Sequence, residues 1–544
     1  MHINRILDRW SFGLILLGIA VVTPIAVVLS ALLFPPDEHW SHMLGHDMGR
    51  LLANTFGILA GVLFFTTVLG VGLAWLVAAC DFPGRRFFRW AMILPFAFPT
   101  YVLGYVWIDI LDLAGPVQQS YLRLFGERPT WLPNPQSVWG LVFVMSLAFY
   151  PYVFMLARGA FEQQGQRAME VARILGRTPR QAFFSVLLPM ARPWITAGLL
   201  LVAMETLADF GTVATFNVDT FTTAIYKAWF GFFSLNTAAR LAAMLVFFTL
   251  ILLFIEKWTQ RRKRFYQVAV SDQAMRRFVL PTATGWAVFA LFAAVLALGF
   301  VIPMIHLAYW VFETFGEEFD GRYWVWLRNT MGLGISAAAL LGLLACFAAY
   351  AQRLNPRPWV RFLVALCTMG YALPGTVLAV GVYIPLVWLD DQLYEVITAW
   401  TSWEPRVLIN GTVAIILYGY AVRFMAVSFQ PVEAAMQRIR PAMDEAARGL
   451  GASRLRILHR IHLPLLRGGV LSGCLIVLVD VMKEMPITLM TRPLGWDTLA
   501  VRIFELTSEG HYERAALPSM MLVLAGLLPV LFLMFVAPKN AAEE

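Results

Sequence analysis

Charge is scarce in this chain. Only 14% of its 544 residues are Asp, Glu, Lys or Arg, while 59% are hydrophobic. Soluble domains carry roughly 25% charged and 45–50% apolar residues, so this chain has too little polar surface to cover itself in water and is built for a lipid solvent. Lysine is scarcer still: Lys227, Lys257, Lys263, Lys483 and Lys539 are the whole complement, and none follows a glycine. A phosphate-cradling loop needs Gly-Lys-Ser/Thr, which excludes an ATPase encoded here. The four cysteines, Cys80, Cys346, Cys367 and Cys474, lie in apolar stretches without metal-ligand spacing and read as small buried hydrophobes. Nucleophile–base spacing is missing too, so no catalytic constellation is expected.

What the chain has instead is long apolar runs. A helix needs about 20 such residues to cross the hydrocarbon core. Twelve runs qualify: 11–34, 51–79, 91–111, 137–157, 194–215, 238–256, 281–312, 327–350, 362–389, 409–430, 468–490 and 515–537. The first is too long for a signal segment and reads as a retained span. With the N-terminus inside, the cytoplasmic segments hold 28 Lys and Arg and the opposite segments hold 8. That asymmetry predicts both termini in the cytoplasm. It also makes the basic run Lys257–Arg264 a linker facing anionic lipid, so the net charge of +8 does not point to nucleic acid. The tryptophans at 324–326 and 400–403 read as interfacial belts.

The chain also repeats itself. A constant shift of 275 residues brings Asn54-Thr55 onto Asn329-Thr330 and Pro99 onto Pro374. It carries Glu170, Gly176, Pro189, Arg192 and Gly198 onto Glu445, Gly451, Pro464, Arg467 and Gly473, and Thr223 onto Thr498. The predicted fold is therefore all-α and polytopic, about 12 spans in two six-helix repeats. An even number of spans makes the repeats parallel, with a pathway expected at their interface. The first half is 1–265, a cytoplasmic linker 266–280, and the second half 281–544.

Two cytoplasmic loops, 162–192 and 431–467, are long and matched. Met169-Glu-Val-Ala-Arg-Ile-Leu-Gly176 with Leu188-Pro189 parallels Asp444-Glu-Ala-Ala-Arg-Gly-Leu-Gly451 with Ile461-His-Leu-Pro464. The pattern predicts a short Ala-rich helix, a glycine turn and a second helix near a proline. This spacing resembles the Glu-Ala-Ala loop of ABC importer permeases, and it occurs once per half. Val171 and Val186 depart from the family pattern, both by apolar changes. The resemblance implies that each loop docks on one copy of a cytoplasmic ATPase, two copies in all. Glu170, Ala172, Gly176 and Pro189 would serve one loop, and Glu445, Ala446, Ala447, Gly451 and Pro464 the other. ATP and Mg would sit on that partner, with no cofactor on this chain. A periplasmic binding protein would deliver the substrate to a bacterial inner-membrane permease.

Ionisable residues within spans default to functional candidates. Glu205 and Asp209, and after the shift Asp480 and Glu484, lie four apart in the fifth helix of each half. That spacing predicts one helical face per pair, with Lys483 and Arg240 as candidate partners, lining the substrate pathway or gating its outer end. Hard oxygen ligands suit a highly charged cation. The segments Leu207-Ala-Asp-Phe-Gly-Thr and Lys483-Glu-Met-Pro486 resemble ferric-iron uptake permeases, while fused thiamine permeases share the layout and polyamine, phosphonate and sulfate permeases share the loop. His39, His42 and His46, beside Asp37, Glu38 and Asp47, are a second metal candidate at helical spacing, against the simpler reading of a solvated loop. A secondary transporter running on an ion gradient is the alternative class, one in which matched docking loops have no use.

Overall fold

The computed structural model describes residues 9–129, 131–174, 181, 183–261, 277–401 and 408–536. It is almost wholly helical, as it must be if lipid surrounds it, because only internally paired backbone survives without water. Among the described residues, ten helices are long and apolar enough to cross a membrane. They are Trp10–Leu33, Met48–Ala79, Val138–Glu162, Phe183–Ala208, Leu235–Ile255, Thr282–Gly316, Gly321–Leu354, Gly375–Trp400, Val413–Gln437 and Arg454–Lys483. The third expected span differs: it is broken into Arg85–Ala97 and Thr100–Phe125, bent by 93°, and would make an eleventh if counted as one. The last expected span is helical over Ala516–Val536.

Proline explains the break. Pro99 has no N–H and forces Phe98 into extended backbone, so the helix stops and restarts at Thr100. The same event recurs at Pro374, which separates Pro358–Cys367 from Gly375–Trp400. The run at 362–389 expected as one span is therefore two pieces. A further departure from pure α structure is a two-residue parallel pairing of Cys80–Asp81 with Phe278–Val279.

The 275-residue register is written into the element boundaries. Short 3-10 turns lie at Leu94–Ala97 and Met369–Ala372, and helices begin at Thr100 and Gly375 and at Val138 and Val413. Wide π turns occupy Phe183–Leu187 and Leu458–His462, followed by Leu188–Ala208 and Leu463–Lys483. A proline sits just inside each of these last helices, Pro189 and Pro464. Its ring clashes with the carbonyl one turn back, and a widened turn is one way to relieve that.

Packing groups the chain into two compact units that cut across the sequence halves. One contains the described residues of 1–44, 224–246 and 319–502. In it the first helix, Arg9–Ser30, lies against the second-half helices Pro358–Cys367 and Gly375–Trp400. Tyr418 donates to the Ala20 carbonyl, and Gly381 permits a backbone approach in which a Cβ would meet the Pro24 oxygen at 2.5 Å. The other unit contains the described residues of 45–223, 247–318 and 503–544. There the second half's opening helix, Ile302–Glu318, packs on Thr100–Leu111 and Ala516–Val536. Trp107 Nε1 donates to the Leu298 carbonyl at 3.2 Å, and Tyr105 Oη to Ser519 Oγ at 2.8 Å. Each unit thus takes its lead helix from the other half.

Buried tyrosines show how polar atoms are accommodated. Tyr150 donates to the Met92 carbonyl at 3.0 Å, where the helix Arg85–Ala91 has ended and freed an acceptor, and Tyr350 donates to the Arg454 carbonyl at 2.8 Å, at the start of the helix Arg454–Ile457. Packing is close at Gly370, where a Cβ would stand 2.1 Å from the Val422 carbonyl oxygen. Gly370→Ala is expected to destabilise the protein by roughly 1–3 kcal/mol, read as a lowered thermal midpoint in detergent. Gly468→Ala, with nothing within 4 Å of the new methyl, is the control and is expected to leave the midpoint unlowered.

Candidate functional site

The fifth helices end earlier than their apolar sequence suggests. Leu188–Ala208 stops one residue before Asp209, which turns to extended backbone at φ −68°, ψ 123°. Leu463–Lys483 stops one residue before Glu484, at φ −71°, ψ 123°. The expected single helical face for Glu205 with Asp209, and for Asp480 with Glu484, is therefore not formed. Glu205 and Asp480 remain in their helices, half-buried, while Asp209 and Glu484 lie beyond the last turn.

Their carboxylates explain why the chain breaks there. A short helix follows each, Gly211–Thr215 and Pro486–Thr491, and its first N–H groups lack partners within the helix. Asp209 Oδ1 accepts from the N–H of Thr212 at 2.8 Å and of Val213 at 3.3 Å. Its Oδ2 accepts from the hydroxyls of Thr212 at 2.7 Å and Thr100 at 2.6 Å. Both oxygens are filled, and a carboxylate offers about four acceptor sites in all. Glu484 accepts from the N–H of Ile487 at 2.9 Å and of Thr488 at 3.3 Å, and from the Thr488 hydroxyl at 3.2 Å. Negative charge at a helix N-terminus also meets the positive end of its dipole. Both carboxylates act as caps that hold a sharp turn.

The caps are not chemically alike. The hydroxyl of Thr100 serves Asp209, but the shifted position is Gly375, and a Cβ there would lie 2.6 Å from Arg423 Nη1 and 2.9 Å from Glu484 Oε1. The absent side chain makes room for a guanidinium beside the carboxylate. Arg423 in turn stands where the first half has Ala148. Its Nε and Nη1 are buried without a hydrogen-bond partner among the described residues. Sequence reasoning passed over Arg423, although a charge inside an apolar run was the available signal. It also passed over the function of the repeated asparagines. Asn54 donates to the Asp219 carbonyl at 2.9 Å and Asn329 to the Asp497 carbonyl at 3.0 Å, tying down the loop after each short helix.

Arg240, expected as a carboxylate partner, is engaged elsewhere. It donates to Asn236 Oδ1 at 2.8 Å and to the Phe34 carbonyl, with its guanidinium 5.5 Å from the Trp40 ring. Asp37 caps the helix Glu38–His46 through the Trp40 N–H at 3.0 Å and also accepts from the hydroxyls of Ser234 and Thr237. Burial pushes its carboxyl up, but those hydrogen bonds outweigh it and leave it below its ordinary value. His39, His42 and His46 do share this helix, but His39 stacks on Phe232 at 5.7 Å. Among the described residues no three His, Cys, Asp or Glu side chains converge on a point that would hold a metal. Helical spacing aligns such residues along one side without making their rings converge.

In the second matched loop, the helix Pro441–Gly449 carries Glu445, Ala446 and Ala447, and none of its residues is buried. Gly451 follows at φ +78°, the left-handed conformation that a glycine turn requires. Ser453 then caps the helix Arg454–Ile457, and Pro464 opens the next. In the first loop, Glu170 and Ala172 fall on the helical backbone of Val138–Ile174 with their side chains outside what the structure describes, and Gly176 lies outside the described residues. Pro189 sits at the start of Leu188–Ala208. If capping is the principal duty of Asp209 and Glu484, Asp209→Ala and Glu484→Ala should each cost about 1–3 kcal/mol through orphaned donors, measured as thermal unfolding in detergent.

Comparison with known proteins agrees with this arrangement. Residues 67–265 and 331–539 each match the family described as the binding-protein-dependent transport system inner membrane component. The Fe(3+)-transport system permease protein FbpB 2 of Haemophilus influenzae is 25% identical over 96% of this chain and 96% of its own. The ferric transport system permease protein FbpB of Actinobacillus pleuropneumoniae is 25% identical over 91% of this chain and 73% of its own. The molybdenum transport system permease protein ModB of Escherichia coli aligns over only 37% of this chain but 88% of its own, at 27% identity. Two matched segments covering most of the sequence, on a scaffold of membrane-length helices, place the chain in the family of binding-protein-dependent transport inner membrane components, as a multi-pass transport permease with the family's domain fused twice in one polypeptide.

Proposed function

We propose that this chain is the permease subunit of an ATP-driven ABC importer of a bacterial inner membrane, carrying ferric iron released by a periplasmic binding protein. The observation that carries it is the family domain occurring twice, together with a second-half loop whose Glu445 helix has no buried residue. A helix with no buried residue has no reason to fold on its own account, and a groove on a partner ATPase would supply the missing contact. The near full-length ferric relatives favour iron over the molybdenum, thiamine, polyamine, phosphonate or sulfate systems. In this proposal the halves are parallel repeats of about six spans each, with both termini cytoplasmic. The basic loops face the cytoplasm, and a pathway forms between the halves. ATP binding and hydrolysis on two ATPase copies would drive loops 162–192 and 431–467, switching the pathway from outward to inward.

Asp209 and Glu484 enter this mechanism as hinge caps. Holding the turn after each fifth helix, they fix where the short helices Gly211–Thr215 and Pro486–Thr491 begin, with Glu205 and Asp480 one turn deeper as the pathway candidates. The test is uptake of radiolabelled ferric iron into vesicles holding the chain, its ATPase and its binding protein. Uptake should require ATP and fall roughly tenfold or more in a Glu170→Ala/Glu445→Ala variant, as for truncation of an interface anchor. Uptake that ignores ATP would instead place the chain among gradient-driven transporters, and uptake of another solute in place of iron would change the cargo alone.

A further inference from the structure

The exposed helix Pro441–Gly449 raises a mechanical question: with nothing buried, what fixes it to the rest of the protein? Asp444 is the residue paired most closely with its neighbours. Asp444 Oδ2 accepts from Arg353 Nε at 2.8 Å, and Asp444 Oδ1 lies 2.7 Å from His462 Nε2. Burial pushes the Asp444 carboxyl up, yet these two neighbours outweigh it and hold it below its ordinary value. Arg353 ends the helix Gly321–Leu354 and also donates through Nη1 to the Met436 carbonyl at 3.1 Å, at the end of Val413–Gln437. His462 closes the π turn before Leu463–Lys483 and is 1% exposed. The Tyr350 ring packs edge-on against it at 5.5 Å, and Tyr350 Oη donates to the Arg454 carbonyl. Asp444 therefore ties three long helices to the exposed one.

The first half has none of these groups. The same register puts Ala78 at the place of Arg353, Met169 at that of Asp444 and Leu187 at that of His462. Ala78 and Leu187 are each 2% exposed. Three polar residues have thus changed together into three apolar ones, as expected for a set that works as a unit: removing one member of a buried charged cluster strands the others, whereas replacing all of them need not.

We infer that Asp444, Arg353 and His462 are positioning residues that lock the second cytoplasmic helix to its own bundle, so that force applied to it moves Gly321–Leu354 and Leu463–Lys483. The two loops are therefore unequal: the second is held by charge, and the first carries apolar residues at the three matching positions. This goes beyond the importer proposal but rests on it for its transport consequence. Glu445, the next residue, faces away from the lock and stays exposed, which separates holding the helix from docking its partner.

The experiment uses the full chain assembled with its ATPase and loaded binding protein, and compares Asp444→Asn and Arg353→Ala with the triple variant Arg353→Ala/Asp444→Met/His462→Leu, which copies the first half. The single variants should retain the ATPase and its basal hydrolysis but lose roughly tenfold or more of the iron moved per ATP. The triple variant should return to within about threefold of wild type, because apolar packing replaces the lock as a set. A nitroxide at Arg448→Cys, on the detergent-purified chain alone, should report a mobile helix in the single variants and an immobile one in wild type and triple. Single variants with wild-type coupling and an immobile label would overturn the lock, as would a triple variant that holds the ATPase but stays uncoupled with a mobile label. Wild-type vesicles that take up no iron would count against the importer proposal, while the label still decides the anchoring.

Discussion

Everything in this fold answers to one constraint: a backbone N–H or carbonyl left without a partner in a medium poor in water costs several kcal/mol. Long helices meet the constraint along their length and violate it at their ends. The informative places are consequently the ends, where Tyr150 covers a freed carbonyl and Asp209 and Glu484 cover freed N–H groups. The chain can turn sharply after Ala208 and Lys483 because a carboxylate waits one residue later to cap what comes next.

Much of this was legible in the residues. The constant shift of 275 holds in the element boundaries, from Leu94–Ala97 with Met369–Ala372 to Leu188–Ala208 with Leu463–Lys483, although the breaks themselves were not expected. The glycine turn of the second matched loop was legible from its spacing, and Gly451 takes the backbone angle that only a glycine adopts at little cost. Helix ends inside apolar sequence were not. Nothing in Leu207-Ala-Asp-Phe-Gly-Thr distinguishes an aspartate continuing a helix from one capping the next, since hydropathy is the same either way. Pro99 and Pro374 were seen as landmarks but not as breaks, because a proline in a membrane helix is often tolerated. Contacts such as that between Thr100 and Asp209 join residues about a hundred positions apart, beyond the reach of any local pattern.

Fusion of two repeats in one chain frees each copy to specialise. Two separate but identical subunits would carry the same cap and the same loop anchor twice. Here one cap uses hydroxyls and the other sits beside a guanidinium, with Gly375 and Arg423 changed together to allow it. The loop anchors diverge in the same coordinated way, from Ala78 and Leu187 to Arg353 and His462. Paired substitutions of this kind keep the backbone in register while altering what holds it, which is why the element boundaries agree more closely than the side chains do.

The exchange of lead helices has a consequence for how the protein is made. The helix Arg9–Ser30 leaves the ribosome first, but Pro358–Cys367 and Gly375–Trp400, against which it finally lies, come more than three hundred residues later. At about 5–20 residues per second, that first helix spends on the order of half a minute before those partners are made. It must therefore persist without them, which its largely apolar sequence allows, and it must avoid committing to nearer helices in the meantime. The order of synthesis thus selects against stickiness in the segment with the longest wait.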